Sequence, residues 1–307
     1  MGSGDGRDPI EAFLDEQLID ARAAAEPLLR ALPHVAEVAS VVLYGSRLAP
    51  STARADSEPD FYAVVGSLRA FHRGLAATAL ASVLPPTVYH LPLDGSGAAK
   101  LCVLSSAQLA RETSPAAADL HHLGRFSKRL GLAFARDPAA RREIARAQRS
   151  AATVLARHAL HRLGPRFSLD DFLLALLGLS YLGEPRVAEP DKVPALLAAH
   201  RDHYRALGLL LLAERPEVER RGDRFSQPPP TERERDETRA LVARSRSRAL
   251  LRWPKYLLTF DGWLDYALRK LERHTGRRLV LGPRERRHPV LLAWPRLLAL
   301  AREGLVA

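Results

Sequence analysis

Residues 40–65 constrain the fold more than any other part of the chain, because they alternate between two apolar runs and one polar loop. The runs at 41–44 and 61–65 predict two strands, joined through a Gly-Ser turn. Glu58 and Asp60 stand at the start of the second run, and residues two apart in a strand share one face. Two carboxylates beside a turn whose backbone can approach a phosphate suit metal-dependent nucleotidyl transfer. The alternative is an ordinary strand pair with a solvated acidic loop.

The spacing of Gly45-Ser46 and the acid-x-acid pair resembles the polymerase-β-like nucleotidyltransferases. That resemblance implies that Gly45 and Ser46 hold nucleotide phosphates through backbone N–H groups and a hydroxyl. It implies further that Asp60 and Glu58 are the catalytic carboxylates and ligate Mg²⁺.

A third carboxylate is usual in this superfamily on a later strand, but the predicted strand at 100–105 has none. Asp94, in the preceding loop, is the nearest acidic candidate. Lys100 opens the strand instead, and we interpret it as a catalytic cation that neutralises phosphate. The competing interpretation is a solvated strand end.

The composition favours an anionic partner without identifying one. The 307 residues include 46 basic and 35 acidic side chains, a net charge of +11, which attracts nucleotides, nucleic acid or anionic lipid. A codon bias towards arginine and alanine would give the same excess. The single cysteine, Cys102, excludes an intramolecular disulfide, and no Cys/His cluster has zinc spacing. No stretch reaches the length of an uncharged membrane span.

The order of predicted elements indicates an α+β fold. Helices are expected at 8–32 and 67–84, and strands at 87–93 and 100–105 form a hairpin. With the two strands of the opening segment, they make a small mixed sheet with helices. We therefore assign residues 1–110 to a polymerase-β-like nucleotidyltransferase core with an N-terminal helix.

The rest of the chain is predicted to be mostly helical. Residues 111–213 form a helical domain, in which Ser168 and Asp171 make a capping box that opens a buried helix over 169–182. Residues 214–237 are charged and Pro-rich and predict an exposed linker. A C-terminal helical segment covers 238–307, and its last part, 288–307, fits either an interfacial membrane helix or a helix packed on the protein's own core.

Short strings along the chain resemble one family, the mitochondrial-type phosphatidate cytidylyltransferases, also named for translocator assembly and maintenance. They keep the family's order from residue 41 to about 208, and Leu179-Ser180-Tyr181-Leu182-Gly183-Glu184-Pro185-Arg186 is the most distinctive. The other strings are Tyr44-Gly45-Ser46, Asp60-Phe61, Phe71-His72, and residues 87–90, 100–105, 123–130, 163–172, 191–193 and 203–207. Two positions depart from the family: Arg47 replaces a glycine and Glu184 an aspartate.

The resemblance implies transfer of CMP from CTP to phosphatidic acid, giving CDP-diacylglycerol and pyrophosphate, with Mg²⁺ as the cofactor. Phosphate contacts are expected from Arg125 and Lys128, three apart on a predicted helix, and from Arg186 at the domain junction; Tyr44 belongs to the same nucleotide-binding set. A solvated basic face is the alternative for Arg125 and Lys128, and a core position for Tyr181.

The expected partners are CTP, phosphatidic acid and an anionic membrane surface, and no nucleic acid is expected. The protein would be cytoplasmic and peripherally associated with the inner face of the cell membrane. Two alternatives stay open. One is a soluble nucleotidyltransferase with a non-lipid acceptor, and the other is a catalytically degenerate member of the fold that binds nucleic acid or lipid.

Overall fold

A computed structural model describes residues 8–32, 34–48, 58–93, 97–183 and 191–259, and residues 264, 268, 272 and 279–287. For residue 76 and residues 253–259 it describes the backbone only. The fold is mixed α+β, as the sequence predicts, and is built on a six-stranded mixed sheet.

The six strands lie in the order β1-β6-β2-β3-β5-β4. The central strands β2 and β3 are antiparallel, β3 runs parallel to β5, and β4 closes one edge antiparallel to β5. On the other side β6 pairs with β2 and carries the short β1 at the second edge. The strands are β1 (Ile19–Asp20), β2 (Val38–Tyr44), β3 (Asp60–Val65), β4 (Thr87–Leu93), β5 (Gly97–Ser105) and β6 (Gly131–Ala135).

Helices cover both faces of this sheet. The described helices are α1 (Pro9–Glu16), α2 (Arg22–Ala31), α3 (Leu68–His72), α4 (Leu75–Val83), α5 (Ser106–Glu112), α6 (Leu120–Phe126), α7 (Pro138–Leu160), α8 (Leu169–Leu182), α9 (Lys192–Ala199), α10 (Arg201–Ala213), α11 (Glu232–Thr259) and α12 (Pro283–Arg287). Because strand residues alternate between faces, the sheet divides its apolar side chains between two cores. Phe61, Leu101 and Val103 face α2 and α3, whereas Tyr62 and Cys102 face the larger helical part.

The larger core is continuous from α1 and the sheet through α6, α7, α8 and α10 to Phe225 and Leu241. It therefore crosses the boundary predicted at residue 110. Strand β6 also joins the sheet from within the stretch predicted to be helical, and its backbone pairs with β2. The capping box at Ser168 and Asp171 is present and opens α8 as predicted.

Several predicted helices are divided in the structure. The segment 8–32 contains α1, β1 and α2 in place of one helix, and Pro27 lies inside α2. The segment 67–84 is split into α3 and α4 at Arg73, which has a left-handed φ of 55°, and Gly74. Within the predicted helical domain, His200 separates α9 from α10.

Residues 214–237, which the sequence predicts to be an exposed linker, are mostly exposed but also contain regular structure. They contain strands β8 (Glu219–Arg221) and β9 (Arg224–Ser226), and β9 pairs with β7 (Arg166–Ser168) in a second small sheet. Phe225 is buried and stacks on Phe167, with ring centroids 5.8 Å apart. One aromatic side chain thus anchors a charged segment whose strands are too short to show an apolar period.

The long helix α11 is attached to the start of α6 by a buried ionic cluster. Asp119 is fully buried and caps α6 through the backbone N–H of His121, at 2.8 Å. The same carboxylate accepts hydrogen bonds from Arg248 Nε and Arg252 Nη2, both at 2.6 Å. Arg252 is itself buried and also donates to the Pro85 carbonyl before β4. This cluster joins α6, α11 and one edge of the sheet.

None of the helices in the described parts of the chain is long and apolar enough to cross a membrane. The predicted interfacial helix at 288–307 lies outside the described residues, as does most of the predicted helix at 262–274.

Candidate functional site

Four side chains lie side by side across four neighbouring strands, level with the end of β2 and the start of β3. Tyr44 on β2 pairs in register with Asp60 on β3, Asp60 with Lys100 on β5, and Lys100 with His90 on β4. Paired residues of neighbouring strands point to the same face of a sheet. Tyr44, Asp60, Lys100 and His90 are called the charged row below. It lies on the face that carries the larger helical core.

The two predicted carboxylates meet at Lys100. Its Nζ lies 3.2 Å from Glu58 Oε2 and 3.7 Å from Asp60 Oδ1, although Glu58 precedes the first residue of β3 and is not part of the strand. His90 Nε2 is 3.2 Å from the other oxygen of Glu58. Burial alone would raise the pKa of Glu58, but the His90 hydrogen bond and the Lys100 charge outweigh it and lower that pKa. Glu58 is thereby held as a carboxylate.

The Gly-Ser turn brings backbone directly against Asp60. Gly45 has a φ of 86°, a left-handed conformation that an L side chain rarely adopts. A Cβ on Gly45 would lie 3.4 Å from Asp60 Oδ2. Ser46 then begins a short 3₁₀ turn, Ser46–Leu48. The Gly45 backbone therefore lies within van der Waals distance of the Asp60 carboxylate, and a glycine there lets a ligand approach the main chain closely.

Beneath the charged row lies a second row of uncharged side chains, formed by Cys102, Tyr62 and His122. Tyr44 is half-buried, and its hydroxyl lies 3.4 Å from Cys102 Sγ. The Tyr62 hydroxyl lies 3.2 Å from Nδ1 of His122 on α6. Burial raises the pKa of Cys102 to about 11 and lowers the pKa of His122 well below its ordinary value. The cysteine is a neutral thiol here, so it forms part of the floor and is not a nucleophile.

The helix α6 provides the wall opposite the row. Arg125 lies in its last turn, with Cζ 5.7 Å from the Tyr44 ring centroid and Nη1 donating to the His121 carbonyl at 2.8 Å. Lys128 was predicted to share a helical face with Arg125, but α6 ends at Phe126. The Lys128 Nζ instead lies 4.0 Å from the centroid of the Tyr181 ring on α8. The two cationic side chains therefore contact different aromatic rings, Arg125 that of Tyr44 and Lys128 that of Tyr181.

The structure brings together Tyr44, Gly45, Glu58, Asp60, Lys100 and Arg125, and it sets Lys128 apart from them beside α8. Arg186 and Asp94 lie outside the described residues. His90 was not predicted; its place in the row depends on hairpin register, and the His-Glu contact spans 32 residues in sequence. Within the described residues, no group of three or more metal-ligating side chains is present.

A surface cleft of about 190 Å³ lies elsewhere, between α7, α11 and the turn before α6. None of the predicted site residues lines it. The side chains of His90, Lys100, Asp60 and Glu58 are only partly exposed, from 17% at His90 to 30% at Asp60.

Comparison with known proteins identifies no relative: no protein-family model matches the sequence, and no curated protein does.

Proposed function

We propose that this chain is a Mg²⁺-dependent nucleotidyltransferase with a polymerase-β-like core, and that it transfers CMP from CTP to phosphatidic acid. The observation that carries the reaction class is the contact of Gly45 with Asp60, beside Glu58 and Lys100. A Gly-Ser turn and two carboxylates lie together where β2 ends and β3 begins, and the main chain at a glycine can approach a phosphate closely. The choice of CTP and of a phosphatidate acceptor is supported by the resemblance of the short sequence strings.

The residues present fit a magnesium ion. Mg²⁺ in nucleotide sites is held by one or two carboxylates together with substrate phosphate oxygens and waters, so a third protein ligand is not required. Asp60 and Glu58 would supply hard oxygens, and Glu58 is held ionised by its neighbours. When bound, the ion would neutralise the charge that develops on the α-phosphoryl group and on the leaving pyrophosphate.

In the proposed reaction, an oxygen of the acceptor phosphomonoester attacks the α-phosphorus of CTP. The new P–O bond forms as the bond from the α-phosphorus to the bridging oxygen breaks, and pyrophosphate leaves. The attacking phosphate oxygen is already ionised near neutral pH, so no side chain has to remove a proton from it. The protein's task is to position two anions and to neutralise their charge.

The residues divide that task between them. The backbone at Gly45 and Ser46 would hold the terminal phosphates of the nucleotide, and Arg125 would approach the same nucleotide from α6. Lys100 stands between the two carboxylates and would compensate charge at the position where related sites use a third carboxylate. Tyr44 would align the nucleotide, since its hydroxyl is fixed by Cys102. The proposed location is the cytoplasmic face of an anionic membrane.

One observation favours a second candidate, a binding protein without activity. Lys100 already neutralises both carboxylates, and β5 carries no acid in the described structure. Such a protein would bind a nucleotide or an anionic lipid without turnover. Binding that is unaffected by magnesium, with no product formed, would select this candidate.

Incubation with labelled nucleotides tests the proposal directly. Each of the ribonucleoside triphosphates is supplied with Mg²⁺ and phosphatidic acid in detergent, and the lipid is then extracted. The proposal predicts label in the lipid phase from CTP only, and only when Mg²⁺ and phosphatidic acid are both present. Label transferred to a product in the absence of lipid would favour a soluble acceptor. Label in the lipid phase from ATP would refute the choice of nucleotide.

A further inference from the structure

Two lysines converge on one tyrosine at the C-terminal end of α8. The Nζ of Lys128 is 4.0 Å from the Tyr181 ring centroid, and the Nζ of Lys192 is 5.8 Å from it. The two come from different elements, since Lys128 follows α6 and Lys192 is the first residue of α9. Lys128, Tyr181 and Lys192 are called the lysine cluster below. An ammonium group placed over an aromatic ring is attracted by the negative face of the ring.

The fold fixes the position of this cluster. The backbone N–H of Lys128 donates to the Arg125 carbonyl at 3.3 Å, and the Lys128 carbonyl accepts from Gln148 Nε2 at 2.9 Å. Helices α6 and α8 cross at Gly124, where a Cβ would come within 2.5 Å of the Ser180 Cβ. This crossing places the residues that follow position 124 beside those that follow position 180. The backbone at Lys128 is therefore held in place, so it would move little when the side chain binds a ligand.

The lysine cluster is separate from Arg125, the cation that faces the charged row. Arg125 points towards Tyr44, whereas Lys128 points towards α8. The end of α6 therefore presents two cationic positions only three residues apart. Two neighbouring cationic positions suit the joining of two phosphate-bearing reactants, because each anion has to be neutralised while the phosphates are held together.

The helix that begins at Lys192 has an unusual surface. Its remaining residues, 193–199, are all apolar, yet the helix contains no fully buried residue. Leu196 and Leu197 pack partly against the core, and Pro194, Ala195 and Ala198 are exposed. A cationic residue at the start of a half-exposed apolar helix matches a ligand with an anionic head and hydrocarbon chains.

We propose that the lysine cluster binds the phosphomonoester head of a lipid acceptor, with the acyl chains lying along α9. The inference rests on the proposed function, and it names the acceptor site of the same reaction. It also reassigns Lys128 from the nucleotide to the acceptor, while Arg125 remains with the nucleotide. Lysines suit a phosphomonoester because they act as compact point charges and do not require the bidentate geometry of a guanidinium.

Vesicle binding tests the proposal without relying on activity. The full-length protein is mixed with phosphatidylcholine vesicles that carry either phosphatidic acid or phosphatidylglycerol, and the bound fraction is measured by flotation. We expect tighter binding to phosphatidic acid, and a roughly fivefold to tenfold loss of that binding in Lys128→Gln and in Lys192→Gln. Ala198→Glu should weaken it as well, because it places a negative charge on exposed α9 without opening the core.

Arg166→Gln is the matched control, since it removes one exposed positive charge near the opposite end of α8. It should leave vesicle binding unchanged. Equal losses in the control and in the two lysine variants would overturn the proposal in favour of general surface charge. Equal binding of the two vesicle types would overturn it too. Complete competition by glycerol 3-phosphate would assign the cluster to free phosphomonoesters and refute the lipid site.

Kinetics separates this inference from the proposed function. In Lys192→Gln the KM for phosphatidic acid should rise roughly fivefold to tenfold while the KM for CTP stays unchanged. A rise in the KM for CTP alone would overturn the acceptor assignment with the enzyme intact. If the unmodified protein releases no pyrophosphate, the proposed function fails, and vesicle binding still decides whether the cluster recognises the lipid head.

Discussion

The buried cluster around Asp119 allows a stability effect to be worked out from the structure. Asp119 has no exposed surface, and it holds Arg248 and Arg252 while capping α6. In Asp119→Asn the side-chain oxygen can still cap the helix, because Asn and Asp are equally good caps. The negative charge is lost, however, and Arg252 is left buried with no compensating anion. Removing one partner of a buried pair costs about 3–5 kcal/mol.

The pKa of Asp119 indicates the same coupling. Burial would raise that pKa, but the charge of Arg252 and the neighbouring His121, His122 and Arg248 lower it far below the ordinary value of 3.8. A carboxyl group whose folded pKa is lowered stabilises the fold fully above its unfolded pKa, and this stability is lost as the pH falls towards the folded value. At neutral pH the whole contribution is present, so the loss in Asp119→Asn is largest there.

The assay is urea unfolding followed by circular dichroism at neutral pH. Asp119→Asn should move the midpoint to much lower urea with an unchanged slope. The matched control is Asp137→Asn, because Asp137 is exposed and caps α7 through the Ala140 backbone N–H at 2.8 Å. It should change the free energy of unfolding by less than about 0.5 kcal/mol.

A double variant extends the test. Adding Arg252→Met to Asp119→Asn removes the uncompensated charge and should recover part of the lost stability. Equal losses of unfolding free energy in Asp119→Asn and Asp137→Asn would refute the ionic coupling. The coupling would also be refuted if Arg252→Met destabilised the Asp119→Asn variant as much as it destabilises the unmodified protein.

Three further stability predictions follow from packing and burial. Gly124→Ala should destabilise the fold by about 1–3 kcal/mol, since the new Cβ would lie 2.5 Å from the Ser180 Cβ; an unchanged melting temperature would contradict the close crossing. His203→Phe should raise the stability by about 1 kcal/mol in urea unfolding, because both buried ring nitrogens lack a hydrogen-bond partner among the described residues and the ring stacks on Phe13. Burial lowers the pKa of His203 to about 3 and that of His158 to about 4. The free energy of unfolding should therefore be highest above the ordinary histidine pKa of 6.5 and should fall as the pH drops from 6.5 towards 4. His203→Phe should make the measured dependence of that free energy on pH less steep.

Local patterns predicted the parts of the fold that short-range chemistry determines. The four strands from β2 to β5 follow from apolar runs between turn residues, and the start of α8 follows from the capping box at Ser168. Strand alternation does not explain why Glu58 and Asp60 both contact Lys100, because β3 begins at Asp60 and Glu58 lies before it.

Features that depend on distant partners could not be predicted in this way. His90 and Lys100 meet Glu58 only because the β4–β5 hairpin pairs beside β3 in one register. Nothing local to Arg252 distinguishes it from the many exposed arginines, since its burial depends on Asp119, which is 133 residues away in sequence. The strand containing Phe225 is recognisable only once Phe167 is placed against it.

Asp60, beside the Gly-Ser turn, belongs to the proposed nucleotidyl-transfer site. Pyrophosphate release from CTP, with Mg²⁺ and phosphatidic acid present, measures its role most directly. We expect release by the unmodified protein and a loss of about a hundredfold or more in Asp60→Asn, with an unchanged melting profile. Asp20→Asn, at the far edge of the same sheet, should retain full activity. Equal rates in Asp60→Asn and the unmodified protein would contradict the account.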